Sequence, residues 1–213
     1  SSKNEFEFAW GGGEPTLLLD FENIFEKHTI KYNPTKNIVY SNALKYSKKI
    51  EQFLQKDLAL LITSIDAGTP GMFKKIRGVK GIHKVLSNLK KYYDNSFNNK
   101  QTNIIIKYIF TEENLLKEEI DSFVELIKSY ELTNCSFQIS SDFKNEKIDL
   151  EQTTSMLELL IKLKNIGAKL VYFDYHSAPR IRKQLNNFLN DSLKIENNTI
   201  SNYLEKNKVK SKK

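Results

Sequence analysis

Six times along this chain an apolar, strand-like run is followed by a segment whose apolar residues recur every three to four positions. That alternation admits few folds. "NEFEFAW" precedes an expected helix from about Thr16 to Ile30, and "KNIVYSN" precedes "ALKYSKKIEQFLQK". "LALLITSID" is followed by the helical "GIHKVLSNLKKYYDN", and "IIIKYIF" by "NLLKEEIDSFVELIKSYE". "CSFQIS" leads to "DLEQTTSMLELLIKLKNIG", and "KLVYFDY" to "APRIRKQLNNFLNDSLK". Consecutive βα units build a parallel sheet with helical crossovers, which is either a doubly wound sheet or a barrel.

Strand parity separates the two, because successive side chains point to opposite faces. In "LALLITSID", Leu60, Ile62, Ser64 and Asp66 share one face, and Ala59, Leu61, Thr63 and Ile65 share the helix-facing one. Lys107 falls with Ile105 and Ile109, opposite Ile106, Tyr108 and Phe110. Ser136, Gln138 and Ser140 fall together, as do Asp174 and His176. One face is apolar throughout, while the other gains polar groups toward the C-terminal strand ends. A doubly wound sheet needs apolar residues on both faces. A barrel with its site at the C-terminal mouth fits better. The expectation is an α/β fold, a partial (βα)6 barrel of TIM type with parallel strands. Its domain covers residues 1–195, with a basic tail, helical or disordered, at 196–213.

The first strand runs into Gly11, Gly12 and Gly13, then Glu14 and Pro15. A tight turn with positive φ needs one glycine. Three in series, at the mouth, let a ligand lie against the main chain, and Glu14 could pair there with a ligand ammonium. Pro15 suits the first turn of the following helix.

Composition narrows the chemistry. The formal charge is +7, but "EKNKVKSKK" at the end holds five Lys against one Glu, and the other charges are mixed along helix faces. That distribution argues against nucleic acid as partner. The chain has one cysteine, Cys135, so it forms no internal disulfide framework and fits a reducing, cytoplasmic compartment. No apolar run reaches the roughly 20 residues of a membrane-spanning helix.

The order of motifs resembles the radical S-adenosylmethionine (radical SAM) enzymes. "GGEP" after a strand resembles their Gly-Gly-Glu-Pro motif, and Ser41-Asn42 resembles the pair ending their next strand. "ITSIDAGTPGMFKKIRG" is similar to their following strand signature, and "IKYIFTEENLLKEEIDSFVEL" to the strand and helix after it. The likeness covers roughly residues 5 to 140. The family's Cys-x-x-x-Cys-x-x-Cys loop, which follows its first strand, has no counterpart here, nor has that strand. The start inside a βα repeat suggests a fragment of a longer enzyme, the alternative being a natural cluster-free relative.

By this resemblance, Gly12, Gly13 and Glu14 meet the methionyl amino group of S-adenosylmethionine, Pro15 is a further cofactor position, and Ser64 and Asp66 lie near the cofactor's ribose and carboxylate. The other reading of that pair is a strand cap, with Asp66 opening the "DAGTPG" turn. Arg77 is the candidate for the methionyl carboxylate, since a guanidinium binds one bidentately; it is otherwise a surface arginine at a helix end. Ser41 and Asn42 also match cofactor positions. Lys107 on the inner face must be paired or face water, with Asp66, Glu14 or a substrate anion as candidate partners. Asn114 reads first as a helix cap and second as a ligand contact. Gln138, Ser140, Asp174 and His176 fall where the family places substrate groups. His28 and His83 read as surface or boundary groups.

The resemblance implies an enzyme that binds S-adenosylmethionine and a [4Fe-4S] cluster and makes a 5′-deoxyadenosyl radical to modify a small-molecule or peptide substrate. Its electrons would come from a donor such as flavodoxin or ferredoxin. The cluster's cysteine ligands are not in this chain. The alternative is a catalytically inactive module binding S-adenosylmethionine or a phosphate ligand.

Overall fold

The computed structural model describes residues 6–96, 103–142 and 148–174, together with Lys183 and Asn187, which are helical. Six strands form one sheet: β1 (Glu7–Trp10), β2 (Lys36–Tyr40), β3 (Ala59–Ser64), β4 (Ile104–Phe110), β5 (Ser136–Ser141) and β6 (Leu170–Phe173). Each pairs in parallel with the next, and their spatial order is their sequence order. A doubly wound sheet reverses its strand order at a switch point. Here no reversal occurs, so right-handed crossovers carry the helices to a single face. This is the wall of a partial barrel, as parity implied. Among the described residues β1 forms one edge and β6 the other.

The helices are α1 (Phe21–Tyr32), α2 (Lys48–Gln55), α3 (Pro70–Arg77), α4 (Ile82–Ser96), α5 (Lys117–Ser129) and α6 (Leu150–Asn165). The core lies between them and the sheet. On β4, Ile104, Ile106, Tyr108 and Phe110 are all buried against it, whereas Ile105, Lys107 and Ile109 are half-buried on the open face. β2 and β3 send Val39, Leu61 and Thr63 into the same core. The buried Asn37 is satisfied by accepting the Trp10 indole N–H at 3.0 Å and donating to the Leu58 carbonyl.

Several helix boundaries differ from those the spacing predicts. The expected helix from Thr16 to Ile30 is broken: a 3₁₀ turn at Pro15–Leu17 is followed by extended Leu18 and left-handed Asp20, and α1 begins only at Phe21. The Leu17–Leu19 run offers no buried stripe, since Leu17 is 73 % and Leu19 90 % exposed. "ALKYSKKIEQFLQK" becomes helical only from Lys48. Ser41 and Asn42 turn their side chains back onto the Ala43 and Leu44 N–H groups, and Ser47 caps α2 by accepting from Ile50 N–H. Between β3 and α4 lies the additional short helix α3; Thr69 caps it through Met72 N–H, and Pro70 supplies its first turn. The segment at 178–194 lies outside the described residues apart from Lys183 and Asn187, and the tail at 196–213 lies wholly outside them.

Candidate functional site at the C-terminal strand ends

The loops after the strands meet along one edge of the sheet. After β1, Gly12 takes φ = +84°, a conformation L side chains rarely adopt. Gly13 is different. Its φ lies outside the left-handed region, and a Cβ built on it meets no atom within 4 Å. Nothing among the described residues demands glycine at that position. A Cβ at Gly11 would meet the Tyr40 ring at 3.3 Å, so the aromatic side chain ending β2 flanks the start of the turn.

Glu14 ties this turn to the next loop. Its Oε1 accepts from Thr16 N–H (3.1 Å), Thr16 Oγ1 (2.6 Å) and Ser41 Oγ (2.8 Å), and its Oε2 from Asn42 N–H (2.5 Å). Lys45 adds a bond to the Thr16 carbonyl at 2.9 Å. Pro15 opens the 3₁₀ turn that Glu14 caps. The carboxylate is thus a junction between two loops.

The end of β3 carries a second junction. Ser64 is half-buried on the open face. Asp66 is 1 % exposed and left-handed, with φ = 59°. Its Oδ1 accepts from Ile109 N–H at 2.7 Å and its Oδ2 from the Arg77 guanidinium at 3.0 Å. Arg77, at the last residue of α3, therefore reaches back to the strand end instead of standing alone at the surface. Asn114 is fully buried. Its amide donates to the Asp66 and Ile109 carbonyls, both at 2.9 Å, and its Oδ1 accepts from Thr111 N–H. It does not cap α5, whose cap position is Leu116; the turn at 111–114 claims its oxygen first.

Burial pushes the Asp66 carboxyl up to about 6, against the lowering influence of Arg77, the Ile109 N–H and Lys107. Between about pH 4 and 6 the folded state holds a proton there that the unfolded chain, titrating near 3.9, has released. This group's stabilisation is present below about pH 4 and is lost as pH rises through about 6. The loss is on the order of 3 kcal/mol, at about 1.4 kcal/mol per pH decade. Asp66→Asn keeps an acceptor for Ile109 and does not titrate. In urea titrations over pH 4–7, wild-type stability minus that of Asp66→Asn should therefore fall as pH rises. A flat or rising difference would refute this.

Farther along the open face, the register Ser64–Lys107–Gln138–Tyr172 forms one row, and Ile109 pairs with Ser140 in the next. Lys107 forms its ion pair with Asp174, at 3.3 Å, and not with Asp66 or Glu14. Asp66 is engaged by Ile109 N–H and Arg77, and Glu14 by Thr16, Ser41 and Asn42. Gln138 is half-buried beside Lys107 in the row, and the buried Ser140 Oγ has no hydrogen-bond partner among the described residues. His176 lies outside the described residues. Of the two remaining histidines, His28 packs between Phe8, Trp10 and Tyr32, and His83 is exposed beside Tyr130.

The edge thus brings together Gly12 to Pro15, Ser41, Asn42, Ser64, Asp66, Lys107, Gln138, Ser140 and Asp174, with Arg77 reaching in from α3 and Asn114 packed beneath. Sequence reasoning missed Glu119 in α5. It accepts from Gly68 N–H (2.8 Å), Thr69 N–H (2.9 Å) and Thr69 Oγ1 (2.6 Å). An acidic residue in a helix's first turns is too common to signal this.

The residues of this chain do not fit a [4Fe-4S] cluster. Its one cysteine, Cys135, is buried at the foot of β5, and among the described residues no group of three or more His, Cys, Asp or Glu could hold a metal ion. No helix among them is long and apolar enough to cross a membrane.

Comparison with known proteins finds similarity in sequence and in fold. No protein-family model matches the chain. It is 29 % identical over 120 residues to the GTP 3′,8-cyclase of Vibrio cholerae, covering 55 % of this chain and 34 % of that protein. With the GTP 3′,8-cyclase of Haemophilus influenzae it shares 26 % over 117 residues, covering 55 % of the chain and 33 % of the relative. The chain therefore spans about a third of the length of the curated relatives it matches. Its fold is similar to that of anSMEcpe with bound AdoMet (S-adenosylmethionine), with a TM-score of 0.58 at 16 % identity, over 82 % of this chain and 51 % of that one. Over the matched stretch the sequence is thus similar to GTP 3′,8-cyclases, and over the six-stranded sheet the fold is similar to that of an AdoMet-bound protein.

Proposed function

We propose that this chain contributes the AdoMet-binding strand ends of a radical SAM enzyme. The observation that carries the reading is Gly13: neither φ nor packing requires glycine there, so the missing side chain serves a ligand lying on the turn. The chemistry around the turn suits AdoMet. The carbonyls of Gly12 and Gly13 and the charge of Glu14 favour an ammonium. Ser64 offers a hydroxyl at the neighbouring strand end. Arg77, held by Asp66 through one nitrogen and part-exposed, has further N–H donors for a carboxylate. Pro15, Ser41 and Asn42 hold the turn in shape; Asp66 and Asn114 hold the strand end.

In this family AdoMet supplies a 5′-deoxyadenosyl group as the radical that removes a substrate hydrogen; this chain's part is to bind and orient. The cluster that such chemistry uses would be held by residues outside this chain, and its electrons would come from a donor such as a flavodoxin or ferredoxin. A small-molecule or peptide substrate would approach the open face, where Lys107, Gln138, Ser140 and Asp174 gather, with His176 as a further candidate. Calorimetric titration of AdoMet into the full-length protein tests the reading. One saturable site is expected, and absence of binding would overturn it.

A further inference from the structure

We propose that Glu119 is a positioning residue: from α5 it sets the loop 66–69 on which the AdoMet reading above depends. Its buried carboxylate has no cationic partner among the described residues. It is held instead by two main-chain N–H groups, one hydroxyl and the N-terminal turn of α5. The loop lies directly on that helix. A Cβ at Gly68 would stand 2.0 Å from the Glu119 carbonyl oxygen and 2.5 Å from Phe123 N.

The grip extends to the strand end by a closed circuit. Glu119 holds Thr69, Thr69 caps α3, and the last residue of α3, Arg77, pairs with Asp66. Asp66 is fastened in turn through its own carbonyl to Asn114, which precedes α5. The place of Ser64, Asp66 and Arg77 is therefore decided from α5, by a side chain that need not touch the ligand.

Two variants of the full-length protein test this by hydrogen exchange without ligand and by AdoMet calorimetry. Glu119→Ala should speed exchange at the Gly68 and Thr69 amides and weaken AdoMet binding about tenfold or more. Glu119→Gln keeps one oxygen for the two N–H groups and lets the Thr69 hydroxyl turn to accept, so it should restore both readouts to within about threefold of wild type. Unchanged exchange in Glu119→Ala overturns the clamp. Faster exchange with wild-type affinity overturns the positioning role, and so does failure of Glu119→Gln to rescue. If the wild type itself does not bind AdoMet, the functional reading falls and takes ligand positioning with it. The exchange data then still decide whether Glu119 holds the loop.

Discussion

Gly13→Ala is expected to lower AdoMet affinity by roughly 100-fold or more, a change of about 2.7 kcal/mol, while the fold stays intact. The added methyl group meets no atom of the described residues within 4 Å, and the backbone there lies outside the left-handed region. A glycine replaced at such a site stabilises a protein by about 0.4–1 kcal/mol, because the unfolded chain loses freedom. The melting temperature should therefore hold or rise by up to about 4 °C for a chain of this size. Gly12→Ala is the control. At φ = +84° it strains the turn and should cost about 1 kcal/mol or more. Thermal melts beside AdoMet calorimetry separate the two. Wild-type affinity in Gly13→Ala would remove the observation on which the functional reading rests.

Gly68→Ala should do the opposite and damage the fold itself. Its Cβ would meet the Glu119 carbonyl oxygen, Phe123 N and the Ser122 Cβ at 2.0, 2.5 and 2.8 Å. Two of those atoms are helix main chain and cannot swing aside. Either α5 moves off the sheet or the loop leaves its hydrogen bonds to Glu119, so we expect a loss of about 3 kcal/mol or more. For a chain of this length that is roughly a 10 °C fall in melting temperature. A melt within about 2 °C of wild type would show that the loop is not seated on α5 as described.

These two glycines look alike in the sequence, each beside a strand end and a proline-started turn. Only their surroundings tell them apart, since one faces open space and the other a helix from 51 residues later in the chain.

The alternation of strand-like and helix-like segments determined the parallel sheet, because period-two and period-three-to-four burial cannot be exchanged. Parity along "LALLITSID" and "IIIKYIF" determined which side chains meet the helices and which face the opening. It also brought Gly12 to Pro15, Ser64, Asp66 and Lys107 to one edge, since all parallel strands end on the same side. Partnerships were left to the tertiary structure. Local spacing says nothing of which distant donor satisfies a carboxylate. That Glu14 bridges to Ser41 and Asn42, that Asp66 takes Arg77 and Ile109, that Lys107 reaches Asp174, and that Glu119 grips Gly68 and Thr69 each depend on strand register and helix docking. The starts of α2 and α5 moved for the same reason: Ser41 and Asn114, which the sequence alone leaves open to a ligand contact, found turn or tertiary partners that a buried polar group cannot do without.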